Sequence, residues 1–165
     1  MIIAIGGVST AGKTTLATRL RNHLNQKRVC LLCQDDYAHP IEKIPRIHDR
    51  IDWEHPDSID HLKLMQSIEA EKRQNDIVIV EGLMIFWHIP TQQLFDKRIY
   101  LEISRKSFHL RKGSDHRWGI EPAWYVDHIW DSFIRYGKPA SKSNMLALSG
   151  EQSVSLPLVL QYIGL

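Results

Sequence analysis

Residues Gly6–Thr15 read GGVSTAGKTT and follow directly on the apolar run MIIAI at Met1–Ile5. The stretch matches G-x-x-x-x-G-K-[ST] at Gly7, Gly12, Lys13 and Thr14, and each fixed position has a physical task. Glycine at both ends lets the backbone pass through conformations closed to residues with a Cβ, so that successive N–H groups can face inward on phosphate oxygens. Lys13 can bring a point charge to the β- and γ-phosphates, and Thr14 offers a hydroxyl to Mg²⁺. The context agrees: MIIAI reads as a short buried strand, and Leu16, Ala17, Leu20 and Leu24 recur at helical spacing after the loop. A helix starting there aims its positive end at the same anion.

Strand-like apolar runs recur along the chain as VCLLC, DIVIVEG, DKRIYLEIS and NMLALSG. Between them lie helical patterns, which predicts an α/β fold with a parallel sheet and ligands at the carboxyl ends of the strands. A helix is expected after Asp57 or Ser58 as cap, with Ile59, Leu62, Met65 and Ile68 on its inner face. Ser104 can cap a short helix ending near Lys112 and Gly113. Pro122 suits the first turn of another, whose packing stripe is Tyr125, Ile129, Phe133 and Tyr136 and which Gly137 and Pro139 terminate. The closing segment VSLPLVLQYIGL reads as a last helix with Pro157 in its first turn. The polar, proline-bearing stretch at about 36–57 shows no period and reads as a long loop over the site.

Composition narrows the class further. The chain has 165 residues, 43% apolar and 24% charged, with a formal net charge of +2, which suits one domain spanning 1–165 and argues against a nucleic-acid or membrane surface as partner. The apolar opening lacks a basic leader and reaches glycine after five residues, so a cytoplasmic protein is expected. Cys30 and Cys33 form a C-x-x-C inside a run that looks like a buried strand. An offset of three places their side chains on opposite sheet faces, which favours a core role over a redox pair. None of the nine histidines has the paired spacing of a structural zinc site.

Two acidic positions at strand ends add chemistry to the cradle. Glu81 closes DIVIVEG, where a phosphate-binding loop needs a carboxylate near its metal ion. Asp35 or Asp36, after VCLLCQ, can accept the proton of an attacking hydroxyl or align it with the γ-phosphate.

With GGVSTAGKTTLA, QDDY, DWEHPDSID, IVEGLMIFW, LRKGSDHRW, PAWYVDHIWDSFIRY and LALSG taken together, the chain resembles the P-loop nucleoside kinases of the uridine kinase group, and within it the nicotinamide riboside kinases. The resemblance covers nearly the whole chain. It implies a P-loop NTPase fold: a five-stranded parallel sheet flanked by helices, with a small lid at about 104–121 and a long substrate loop. It implies ATP and Mg²⁺ as cofactors and phosphoryl transfer to the 5′-hydroxyl of a nucleoside. Nicotinamide riboside is the acceptor expected here, with uridine, cytidine or another small-metabolite alcohol as alternatives. By the same resemblance Gly7, Ala11, Gly12, Lys13, Thr14 and Thr15 bind the nucleotide, Thr14 and Glu81 serve the metal, and Asp35 is the base, with Asp36 beside it facing the substrate. Trp53 and Glu54 match an aromatic residue and an acid that contact the nucleoside, with Glu standing where the family pattern has Asp. Arg111 and Lys112 resemble lid residues that close on the phosphates, Arg111 in a catalytic role, and Arg117 with Trp118 resemble a second lid or nucleoside pair. A nucleotide-dependent switch is the non-enzyme alternative, but the N-K-x-D guanine motif of such proteins is absent from the sequence.

Overall fold

The structure is a computed structural model describing residues 1–115 and 119–165. Strand β1 (Ile2–Gly7) leads through the glycine-rich loop into helix α1 (Lys13–His23), and β2 (Val29–Cys33) follows. A hairpin of β3 (Arg46–Ile47) and β4 (Arg50–Ile51) precedes α2 (His61–Gln74) and β5 (Ile77–Gly82). Next come the short α3 (Ile89–Gln92), β6 (Lys97–Glu102), α4 (Arg105–Gly113), α5 (Ala123–Ser132), β7 (Leu146–Ser149) and α6 (Leu156–Ile163).

Five strands form one parallel sheet in the order β2-β5-β1-β6-β7. All of β1 and β5 is buried, as central strands covered on both faces must be. Helices α1 and α2 pack Leu16, Leu20, Leu64 and Ile68 against this sheet, while Phe108, Tyr125, Ile129, Phe133 and Val159 join the same core from α4, the α5 region and α6. The register places Glu81 level with both Ile5 and Cys33. The glycine-rich loop, Glu81 and the residues after Cys33 therefore emerge at one edge of the sheet.

The five strands lie on the runs read from the sequence, but several local expectations are corrected. β2 is an edge strand whose five residues are all half-buried, so Cys30 and Cys33 do not sit in a sealed core. Burial still pushes their thiols up, Cys30 to about 11 beside Glu71 and Cys33 to about 12 beside Glu81 and Asp35. The two face different neighbours, as their spacing requires. Helix α2 starts later than expected: Asp60 is its cap and accepts from the Lys63 amide at 2.9 Å. The Pro56–Ser58 segment is a separate 3₁₀ turn, capped by His55. The shift rotates the inner face onto Leu64 and Ile68 and leaves Leu62 61% exposed.

The long loop is also more ordered than an aperiodic stretch suggests. It holds 3₁₀ turns at Gln34–Tyr37 and Ile41–Lys43 and the β3–β4 hairpin, whose two-residue turn places His48 at φ 51°. Pro122 stands at the cap of α5 rather than inside its first turn. That helix widens into a π turn at Phe133–Gly137 before it ends, with the Lys138 amide donating to the Phe133 carbonyl. Among the described residues no helix is long and apolar enough to cross a membrane.

Candidate active site

The glycine-rich loop turns back on itself, with the Ala11 amide donating to Val8 O at 3.2 Å. Gly12, at φ 95°, caps α1 without any side-chain hydrogen bond, and the first turn of α1 carries no acidic residue. The free amides and dipole of that helix end therefore face the loop unopposed, as an anion site requires. At the other end of the loop Gly7 is held at φ 150°, and a Cβ there would stand 2.6 Å from the Leu101 carbonyl of β6. Glycine is needed at that position for both reasons.

Lys13 opens α1 and its Nζ donates to Val8 O at 3.1 Å. One residue on, the Thr14 hydroxyl donates to Glu81 Oε1 at 2.7 Å. Glu81 is buried at the end of β5, so a hydroxyl and a carboxylate oxygen meet beside the anion cradle. These hard oxygen donors suit Mg²⁺ shared with a bound phosphate, not a metal caged by protein alone. Among the described residues no cluster of three or more His, Cys, Asp or Glu side chains is arranged to hold a metal by itself.

Asp35 lies in the 3₁₀ turn that follows β2. The residue is exposed, yet the protein around its carboxyl takes away part of its hydration, and this raises its pKa. Lys13 pulls it back down, while Glu81 and Asp36 push it up. Asp35 is thus within electrostatic reach of both the loop lysine and Glu81. Gln34 holds this arrangement: its buried Oε1 accepts the Met84 amide at 2.9 Å and ties the turn after β2 to the turn after β5. The sequence reading missed Gln34, since a polar residue at a strand end carries no signal of the contact it makes fifty residues away.

Glu54 lies in the loop after β4, within electrostatic reach of Lys112 on α4 and of Glu121. Its carboxyl pKa is pushed up to about 8, first by burial and then by Asp35, Asp52 and Glu121, with Lys112 opposing. At neutral pH it is mostly a neutral acid, able to donate and accept. Lys112 is buried on α4 and forms an ion pair with Glu121 at 2.8 Å. The lysine that the resemblance gave to the phosphates is therefore engaged beside Glu54. Tyr125 borders the same cluster, and burial together with Glu54 and Asp52 raises its phenol pKa. Trp53, between Asp52 and Glu54 in the chain, is 43% exposed. Glu121 and Tyr125 were not picked out as site residues from the sequence, because their relation to Glu54 exists only once α5 and the residues before it pack on the loop.

Arg111 lies against the glycine-rich loop. Its guanidinium donates to the carbonyls of Thr10 at 3.1 Å, Gly150 at 2.9 Å and Glu151 at 3.0 Å. It stitches α4 to the glycine-rich loop and to the turn after β7. A groove of about 260 Å³ runs here between Ala11, Gly12, Thr15, Arg19 and the 150–154 turn. This groove adjoins the phosphate cradle on the side away from Asp35. Arg117 and Trp118 lie outside the described residues.

No protein-family model matches the chain. Among curated proteins it is 21% identical over 202 residues to uridine kinase-like protein 3 of Arabidopsis thaliana, covering 98% of this chain and 42% of that protein. It is 27% identical over 161 residues to uridine kinase of Mycoplasma genitalium, covering 82% and 72%. It is 23% identical over 156 residues to human nicotinamide riboside kinase 2, covering 82% and 67%. The chain thus spans less than half the length of the plant relatives it matches. Among solved structures it superimposes on a possible uridine kinase from Bacillus stearothermophilus with a TM-score of 0.59 at 19% identity, covering 90% and 88%. Shikimate kinase from Aquifex aeolicus gives 0.58 at 14% identity, covering 99% and 96%. The homologues are uridine kinase-like and nicotinamide riboside kinase proteins at modest identity, and the fold is that of the P-loop kinases.

Proposed function

We propose that this chain is an ATP-dependent kinase that phosphorylates the 5′-hydroxyl of a nucleoside. The observation that carries the reading is the convergence of Lys13, Asp35 and Glu81 on one edge of the sheet. The loop amides and the α1 N-terminus bind phosphate oxygens, and Lys13 neutralises charge that develops on the transferring group. Asp35 receives the proton of the acceptor hydroxyl as its oxygen bonds to the γ-phosphorus and the bond to the β-phosphate oxygen breaks, releasing ADP. Thr14 and Glu81 would hold Mg²⁺, which supplies charge neutralisation across the β- and γ-phosphates when bound. The groove beside Thr15 and Arg111 is open to the base of the nucleotide, and Glu54 and Trp53 face the acceptor.

Nicotinamide riboside is the favoured acceptor. Its pyridinium carries a fixed positive charge, and with Glu54 held mostly neutral and Glu121 paired to Lys112 the carboxylate left to attract it on the acceptor side is that of Asp35. An exposed indole such as that of Trp53 adds ~0.5–2 kcal/mol for a cation over its face. Asp52 adds less than its place in the sequence suggests, because its carboxylate is turned to His128. Uridine is the second reading, favoured by the uridine kinase relatives.

The test is ATP consumption by wild type and Lys13→Ala against a panel of nucleosides and small alcohols. Acceptor-dependent turnover that vanishes in the variant is expected, with nicotinamide riboside ahead of uridine in kcat/KM. Turnover indifferent to every acceptor would point to a nucleotide switch instead.

A further inference from the structure

We propose that His128 is a positioning residue for the acceptor: by holding Asp52 it fixes the turn that presents Trp53 and Glu54. The proposal rests on the kinase reading above and deepens its acceptor side. Asp52 is buried, and its amide, its carbonyl and one carboxylate oxygen are all engaged. Its amide donates to Pro45 O at 2.8 Å, its carbonyl accepts from the His55 amide at 3.3 Å, and its Oδ1 accepts from the Glu54 amide at 3.2 Å. The same Oδ1 stands 2.7 Å from His128 Nε2. An ionised carboxylate offers no hydrogen, so the imidazole carries its proton at Nε2 and donates.

His128 belongs to α5, 76 residues further along the chain. Other contacts join the same two elements. The Tyr125 hydroxyl donates to Ile51 O at 3.4 Å, Arg50 lies 5.6 Å from the Tyr125 ring centroid, and His48 meets Trp124 edge-on at 4.8 Å. The Asp52–His128 contact is the shortest of these and the one that involves a buried carboxylate. Without the imidazole that carboxylate keeps, among the described residues, the Glu54 amide as its hydrogen-bond partner, and it gains by turning toward water. Such a turn would carry Trp53 and Glu54 with it. Acceptor binding would weaken, while the nucleotide cradle on the far side of Asp35 would not feel the change.

The experiment compares His128→Phe, His128→Gln and Asp52→Ala with wild type, using the best acceptor from the panel. The Gln amide can reach the position of Nε2 and donate there. His128→Phe and Asp52→Ala are expected to raise the acceptor KM by about tenfold or more, with the loss falling on acceptor KM rather than ATP KM. His128→Gln should recover most of it. Hydrogen exchange at the Glu54 amide should accelerate in His128→Phe and not in His128→Gln. An unchanged acceptor KM, a loss confined to ATP KM, or a Gln variant no better than Phe overturns the proposal. If wild type phosphorylates no acceptor, the kinase reading fails separately. The Glu54 exchange rate then decides the clamp alone, acceleration supporting it and no change refuting it.

Discussion

The hydroxyl of Thr14, in the first turn of α1, donates to the carboxylate of Glu81 at the end of β5 across 2.7 Å. Two neighbouring strand ends are joined there through the side chains best placed to share a metal with bound phosphate. Glu81→Gln preserves the shape but removes the negative charge, so half-maximal turnover should need more Mg²⁺. An unshifted Mg²⁺ titration would remove Glu81 from that role. Thr14→Ala leaves a buried carboxylate short of a partner and should cost about 1–3 kcal/mol of stability, read by thermal melting without any substrate.

Asp35 must be ionised to take a proton, and its pKa lies above the ordinary carboxylate value through loss of hydration, with Glu81 and Asp36 pushing the same way against Lys13. Its ionised fraction, and with it kcat/KM for the acceptor, therefore rises with pH over a range displaced upward from that of a free aspartate. Asp35→Asn should lower kcat by ~10²–10⁴-fold with ATP binding retained. Asp36→Asn should cost much less, and the reverse order would exchange the two assignments.

Glu54 yields a prediction about stability. Its pKa rises from the ordinary 4.5 to about 8 on folding, so between those values the folded protein keeps a proton that the unfolded chain releases. Stability contributed at this site is thus intact below the unfolded pKa and falls as pH rises through the window, with the full cost of an ionised carboxylate reached above the folded pKa. Glu54→Gln should melt higher than wild type at about pH 9 and at the same temperature near pH 4. Parallel melting curves across the whole range would show that the carboxyl is not held in this way.

Arg111 separates two roles by experiment. As a stitch between α4, Thr10 and the 150–151 turn, it should lose about 1–3 kcal/mol of stability on replacement by alanine. ATP KM should rise, since both loops border the groove. A residue acting solely on the transferring phosphoryl group would instead lower kcat with stability unchanged. Lysine should recover little, because a single ammonium cannot reproduce the planar fork that meets three carbonyls at once.

The sequence by itself determined the sheet, the phosphate loop and the acids beside it. Those features are contiguous: an apolar run of five or six residues, a glycine spacing and an acid at the end of a run are written locally, and backbone geometry converts each into structure without outside help. The resemblance put Asp35 ahead of Asp36, but the electrostatic reach of Asp35 to Lys13 and Glu81 depends on how β2 and β5 register. The same holds for the face that α2 buries, where a cap two or three residues later turned Leu62 outward and Leu64 inward. Only the tertiary structure could set Lys112 against Glu121, Arg111 against three carbonyls and Asp52 against His128. A charged side chain carries several possible partners in its sequence neighbourhood. Which one it meets is decided by the packing of elements tens of residues apart, because the cost of burying a charge unpaired selects the arrangement in which a partner is brought to it.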